Sequence, residues 1–222
     1  MTVLRRPSVV TVMLAVMLAA AGCGGDTTPQ SPAPAPTTSS ATPSPSVATG
    51  GLPAFSGDPV AHASAAIKLF EQGAAKDQIK TQKLAVVLVS DSKACSKKDQ
   101  PFSGTDKLAA PLELCVLDNP FTIAVSAASY PDFVTKKPNE TAGLLLQRWA
   151  IGNTELNAEN RNLLAGGCVA GATLNGLKDV LTPAESDAIA AWSKGLGGDY
   201  ATGFGGAKQG GWQFCKMLNI VR

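Results

Sequence analysis

The side chains that could do chemistry in this 222-residue chain are few and widely spaced. His62 is the only histidine, so one molecule cannot build a two-histidine metal site, and we expect a surface or partly packed structural role for it. Glu155 and Glu159 are four residues apart, a spacing that suits metal or acid–base work but is more typical of a solvated helix face. Residues 90–93 fit the S-x-x-K pattern of serine acyl-transfer enzymes, whose companion motifs are missing. We therefore expect no catalytic residue, metal or cofactor, with a hydrolase that uses a non-standard site as the alternative.

Cys23 ends a segment with the layout of a secretory signal. Arg5 and Arg6 form a positive start, residues 9–21 are apolar, and small residues lead into Cys23. A membrane-spanning helix needs about 20 apolar residues, so this shorter run is better interpreted as a cleaved signal peptide over residues 1–22.

The last four residues of that segment, Ala-Ala-Gly-Cys, resemble the lipobox of bacterial lipoproteins. Ala20 departs from the usual pattern, which more often has leucine at this position. The resemblance implies that Cys23 becomes the mature N-terminus, carries a lipid such as palmitate, and anchors the protein to the cell membrane outside the cytoplasm.

Residues 23–52 have the composition of a disordered linker. After Cys23 they are mostly Pro, Thr, Ser, Ala and Gly, and their six prolines interrupt any helix or central strand. We expect this linker to hold a folded domain away from the membrane. The order of lipidated cysteine, linker and domain resembles the envelope lipoproteins of actinobacteria.

Residues 53–222 are long enough to bury one hydrophobic core, so a single globular domain is expected. Arg5 and Arg6 leave with the signal peptide, and the other 17 of the 19 basic residues are balanced by 17 acidic ones. Because no block of like charge appears, the sequence argues against nucleic acid as a partner. An envelope protein or a cell-wall ligand fits the expected location better.

The remaining cysteines, Cys95, Cys115, Cys168 and Cys215, are even in number and expected in an oxidising compartment, which indicates two disulfides. Three pairings are possible. We favour Cys95 with Cys115, which flank one polar region, and Cys168 with Cys215, which lie in two later segments of helical character. On the chain-entropy model these bonds contribute about 3 and 4 kcal/mol. A four-thiolate zinc site would need short C-x-x-C pairs, which the chain lacks.

The element pattern predicts a helix-dominated α+β domain. Asp58-Pro59 caps a first helix, and Thr182-Pro183 with Glu185 forms a capping box before a helix over residues 183–194. Helices are also predicted over residues 139–150 and 156–177, the latter rich in small residues that would allow close packing. The β-branched runs at residues 84–89 and 121–125 predict strands, and the glycines of residues 195–211 predict turns before a last apolar segment.

Four segments in order resemble the neutral zinc metallopeptidases of bacteria. They are the cysteine-containing stretch of residues 113–119 before a strand, the sequence Gly167-Cys168-Val169-Ala170-Gly171, the capped helix leading to residues 197–199, and the glycine-rich segment before Cys215. The second segment resembles the family's D-C-x-A-G pattern with glycine in place of aspartate. The resemblance covers residues 95–215.

This resemblance implies a metallopeptidase-like fold whose metal site has been lost. The family binds zinc through H-E-x-x-H on a helix, in which two histidines hold the metal and the glutamate activates water. The chain has no such motif, and the segment most similar to the zinc helix, residues 141–150, carries Leu144, Leu145 and Leu146. The family's acidic positions correspond to Leu163 and Gly167, which cannot bind metal. A non-catalytic binding or scaffolding lipoprotein is the expected function.

Overall fold

The computed structural model describes residues 51–89, 111–115, 121–157 and 162–222. Within these ranges the chain forms a helix-dominated α+β domain with a small sheet, as the sequence predicts. The helices are α1 (Pro59–Lys76), α2 (Tyr130–Lys136), α3 (Pro138–Asn157), α4 (Leu163–Gly176), α5 (Pro183–Gly195) and α6 (Gly198–Met217). The strands are β1 (Ala85–Val89), β2 (Leu112–Cys115) and β3 (Thr122–Ser126).

Two helix starts form through the capping residues that the sequence predicts. The Asp58 carboxylate accepts hydrogen bonds from the backbone N–H groups of Val60 and Ala61, at 2.9 and 3.1 Å, and Pro59 occupies the first helical position of α1. At α5, the Thr182 hydroxyl accepts from the backbone N–H of Glu185, and the Glu185 carboxylate accepts from the backbone N–H of Thr182. These local bonds satisfy donors that the first turn of a helix otherwise leaves without partners.

The three strands form a mixed sheet in the order β1-β3-β2. The central strand β3 runs parallel to β1 and antiparallel to β2, and all five of its residues are buried. The strands predicted at residues 84–89 and 121–125 are β1, which begins one residue later than predicted, and β3, which is displaced by one residue. Strand β2 was not predicted as a strand, because its four residues are too few for the alternation of polar and apolar side chains to be recognised.

The prediction of one helix over residues 156–177 is wrong in its boundaries. Helix α3 continues from Pro138 to Asn157, and α4 begins at Leu163. Asn162 adopts an extended conformation, and its side chain accepts a hydrogen bond from the backbone N–H of Ala165 at 2.7 Å. An N-cap of this kind starts a new helix, so α4 is separate from α3.

The prediction of turns over residues 195–211 is also wrong, because most of this run is the helix α6. The helix is interrupted at Gly211, whose φ of 62° lies in the left-handed region that favours glycine. Glycine lowers intrinsic helix propensity by about 1 kcal/mol per residue, but tertiary packing overrides this preference here. The short helix α2 was likewise not predicted, since seven residues give too little periodicity.

Helix α4 packs in direct backbone contact with α6 through glycines on both helices. A Cβ atom built at Gly167 would overlap the carbonyl oxygen of Tyr200, and one at Gly203 would overlap that of Leu164. On the other side of α4, a Cβ at Gly176 would overlap the Gly73 carbonyl oxygen of α1. The close packing that the small residues of this segment predict is therefore confirmed.

A disulfide joins α4 and α6, and the predicted pairing of Cys168 with Cys215 is confirmed. Its Cα atoms are 6.0 Å apart, and both residues are fully buried. The predicted bond between Cys95 and Cys115 cannot be placed in the same way, because Cys95 lies outside the described residues. That second pairing stays a prediction.

We expect Gly203→Ala to destabilise the domain by about 1–3 kcal/mol, because its methyl group would force α4 and α6 apart. Gly205→Ala is a matched control in the same helix, since a Cβ at Gly205 meets no atom within 4 Å. The control should be neutral or stabilising by up to about 1 kcal/mol, because alanine is the better helix former. Urea unfolding of both variants measures the difference, and equal stabilities would contradict the backbone contact.

Candidate functional site

An open groove of about 460 Å³ lies between the α2–α3 junction and one side of α5. This volume is within the range of ligand-binding clefts in proteins. The junction contributes two lysines, a proline, an amide and a carboxylate, and α5 contributes two alanines and an indole: Lys136, Lys137, Pro138, Asn139, Glu140, Ala188, Ala191 and Trp192. The groove therefore combines an aromatic surface with hydrogen-bond donors and acceptors.

The position of Trp192 depends on a glycine in the neighbouring helix. A Cβ at Gly143 of α3 would lie only 2.8 Å from Cε3 of the indole, closer than such atoms normally approach. Glycine at this position lets the indole pack directly on the backbone of α3. Trp192 remains partly exposed, whereas Trp149 and Trp212 are almost completely buried.

The charges around the groove are balanced in pairs. The Lys136 ammonium is 2.8 Å from the Asp132 carboxylate, and the Lys137 ammonium is 3.0 Å from the Glu140 carboxylate. Lys137 also lies over the Phe133 ring, 5.8 Å from its centroid. Exposed pairs of this kind stabilise proteins by at most about 1 kcal/mol, so they contribute little to the stability of the domain.

A second group of polar side chains is buried where β2, α3, α5 and α6 meet. Burial raises the pKa of Glu113, and attraction by Arg148 and a hydrogen bond from the Leu114 backbone only partly offset this effect. Burial also lowers the pKa of Arg148, against the attraction of Glu113 and Tyr200. Burial raises the pKa of the Tyr200 hydroxyl well above its usual range, with Ser193 and Arg148 opposing the shift. None of these residues is among those that line the groove.

His62 is buried and fixes the start of the domain. Its Nε2 lies 3.0 Å from the carbonyl oxygen of Pro53, and its Nδ1 lies 2.8 Å from the hydroxyl of Tyr130. The carbonyl can only accept, so Nε2–H donates to Pro53 and Nδ1 accepts from the tyrosine hydroxyl. Phe55 packs against both rings, at centroid distances of 5.6 Å from His62 and 6.3 Å from Tyr130. Neutral His62 therefore has a structural role, but it is buried, whereas the sequence predicts a surface or partly packed position.

The structure does not bring the other candidate catalytic residues together. The S-x-x-K segment of residues 90–93 lies outside the described residues, as do Glu159 and the side chain of Glu155. Cys23 and the predicted linker residues up to position 50 also lie outside them. The predictions for these residues stay predictions.

The segment that resembles a zinc helix lies within α3. Leu144, Leu145 and Leu146 are buried there and belong to the hydrophobic core. Of the two positions that the predicted resemblance aligns with the family's acidic residues, Leu163 is exposed and Gly167 packs against α6. Across the described ranges, no three His, Cys, Asp or Glu side chains are grouped so that they could hold a metal ion.

The groove was not identified from the sequence. Taken alone, the Lys136-Lys137 doublet is typical of a solvated loop, and Trp192 fits the apolar face of the helix that begins at Pro183. Neither feature by itself indicates a binding site. The two segments are more than fifty positions apart, and only tertiary packing places them side by side.

None of the described helices is long and apolar enough to cross a membrane. Comparisons with family models, curated proteins and solved structures give no match for this chain.

We expect acidification to destabilise the domain through His62. Burial lowers the pKa of His62 below its ordinary value of 6.5, against the raising effect of the Pro53 hydrogen bond. The unfolded chain therefore takes up a proton first, so stability falls as the pH decreases below about 6.5 until the folded-state pKa is reached. Urea unfolding at pH 7.5 and 5.5 measures this loss, which should be smaller in His62→Gln. An NMR titration in which His62 shows its ordinary pKa would contradict the prediction.

Proposed function

We propose that this chain is an envelope lipoprotein, anchored through Cys23, whose C-terminal domain binds a ligand without chemically converting it. The domain would retain a fold like that of the neutral zinc metallopeptidases while lacking their metal site. The proposal combines the lipobox-like sequence at residues 20–23 with the composition of the linker and the nature of the groove.

The observation that carries this proposal is the packing of α3. The segment that resembles a zinc helix presents Leu144, Leu145 and Leu146 to the core, where their side chains are at most 7% exposed. Metal ligands have to face a site that water or a substrate can reach, and leucine offers no ligand atom. The residues of this segment support a structural role for the helix.

The groove supports binding more than catalysis. Catalytic groups are commonly found where a concave site and strongly shifted pKa values coincide. In the part of the chain that the structure describes, the following side chains have shifted pKa values and do not line the groove: His62, Glu113, Tyr130, Arg148, Glu185 and Tyr200. A ligand in the groove would contact Trp192, Asn139 and the paired lysines instead.

The start of the domain supports a tethered arrangement. The backbone N–H of Leu52 donates to Glu185 at 2.9 Å, and the next residue, Pro53, accepts from His62. These bonds attach the chain to the domain at the end of the predicted linker. A force applied through the linker would therefore be transmitted to α1 and α5.

The alternative is a hydrolase with a non-standard site. The buried group of Glu113, Arg148 and Tyr200 is the observation in its favour, because buried ionisable groups that act on one another are common in active sites. Such groups also occur as structural networks, and this one lies in the interior rather than in the groove. Catalysis there would need an opening that admits a substrate.

We expect the mature protein to contain no stoichiometric zinc and to cleave no member of a broad peptide library. Metal content is measured by mass spectrometry, and cleavage is measured with and without a chelator. Stoichiometric zinc with chelator-sensitive cleavage would overturn the non-catalytic proposal. Cleavage that the chelator does not affect, and that Glu113→Gln abolishes, would support the alternative hydrolase.

We expect Cys23→Ala to abolish lipid attachment and to prevent removal of residues 1–22 by the lipoprotein pathway. Labelling of cells with radioactive palmitate should mark the wild-type protein but not this variant. Thr28→Ala is a control that changes a linker residue and leaves the lipobox-like sequence intact. Equal labelling of the Cys23→Ala variant would contradict lipidation at this residue.

A further inference from the structure

We propose that the groove between the α2–α3 junction and α5 binds a neutral saccharide. This inference rests on the proposed binding function and names the class of ligand. It is based on three properties of the groove: its aromatic surface, its balanced charge and a polar side chain that is not committed to the fold.

The aromatic surface comes from Trp192. Its indole is held against α3 at Gly143, so the ring is fixed in place before a ligand arrives. A sugar ring has an apolar face made of C–H groups, and such a face packs well against a flat aromatic ring. A side chain that is already fixed loses little conformational entropy on binding, which favours affinity.

The balanced charge argues against a highly charged ligand. Lys136 is paired with Asp132, which lies on α2 outside the groove lining, and Lys137 is paired with Glu140, at 2.8 and 3.0 Å. Because each lysine already has a carboxylate partner, the surface offers only a weak net field to a strongly charged polymer. A neutral ligand does not need a charged surface in order to bind.

The uncommitted polar side chain is Asn139. It is half-buried at the groove, and its amide has no hydrogen-bond partner among the residues that the structure describes. An amide offers both donors and an acceptor, and a sugar hydroxyl needs both. Lys137 and Glu140 beside it provide further donors and acceptors at the same wall.

Binding can be followed with the protein's own fluorescence. The chain has three tryptophans, and Trp149 and Trp212 are at most 3% exposed. Acrylamide quenching of the purified full-length protein therefore reports mainly on Trp192. The probes are neutral tetrasaccharides of hexose, N-acetylhexosamine and pentose units, with neutral tetrapeptides as the comparison.

We expect at least one neutral tetrasaccharide to protect Trp192 from quenching in a saturable manner. Isothermal titration calorimetry should then show binding weakened by more than about tenfold in Trp192→Ala, as for the loss of an aromatic hot spot. Asn139→Ala should also weaken binding, and Trp192→Phe should retain part of it. Lys208→Ala, a change on α6 outside the groove lining, is the control and should bind normally. Circular dichroism confirms that each variant is folded.

The saccharide proposal is overturned if no tetrasaccharide binds, if only the tetrapeptides bind, or if Trp192→Ala binds saccharide as well as the wild type does. Saturable peptide binding would leave the proposed binding function intact while removing this ligand class. Metal-dependent cleavage, measured on the same preparation, would instead overturn the non-catalytic function itself. The two failures are therefore distinguishable.

Discussion

The contact on which the rest of the domain depends is the close approach of α4 to its neighbours. Glycines at positions 167 and 203 bring α4 and α6 into backbone contact, and Gly176 does the same for α4 and α1. Because backbone atoms cannot yield as flexible side chains can, these contacts fix how the three helices lie against one another. The bond between Cys168 and Cys215 joins the same two helices covalently. Helix α5 connects α4 to α6 along the chain, and its Trp192 packs on α3 at Gly143 to form one wall of the groove.

The parts of the fold that depend on local interactions could be predicted from the sequence. Asp58 and Thr182 start helices by bonding to backbone groups two or three residues away, and such bonds need nothing from the rest of the molecule. The prediction of turns over residues 195–211 is wrong because the structure of this run depends on contacts with a distant segment. Taken alone, glycines favour turns, but in α6 they permit a contact with α4 that the sequence of either segment cannot reveal by itself.

The candidate site likewise combines features that local sequence predicts with features that depend on tertiary packing. The residue types that usually carry chemistry can be recognised in the sequence, and of these His62 has a structural role through its bonds to Pro53 and Tyr130. The groove is built from residues that are ordinary in the sequence, and its aromatic wall depends on the absence of a side chain at Gly143. Such a site follows from how α3 and α5 pack, so no spacing within one segment could have predicted it. The pairing of Cys168 with Cys215 was predictable because both cysteines lie in segments whose helical character could be recognised.

The segment that joins the predicted linker to the domain contacts both helices that border the groove. Leu52 is bonded to Glu185, in the first turn of α5, and Trp192 lies two turns further along the same helix. Burial opposes ionisation of Glu185, but the hydrogen bonds from Leu52 and Thr182 outweigh it and lower the pKa of this carboxyl, so the charged form that holds Leu52 is favoured. Pro53 is bonded to His62, which in turn accepts from Tyr130 at the start of α2, and Lys136 at the groove ends that helix. Because α2 has only seven residues, Tyr130 and Lys136 are separated by about 9 Å along its axis. Residues 52–55 are therefore connected to both walls of the groove, through Glu185 to α5 and through His62 and Tyr130 to α2.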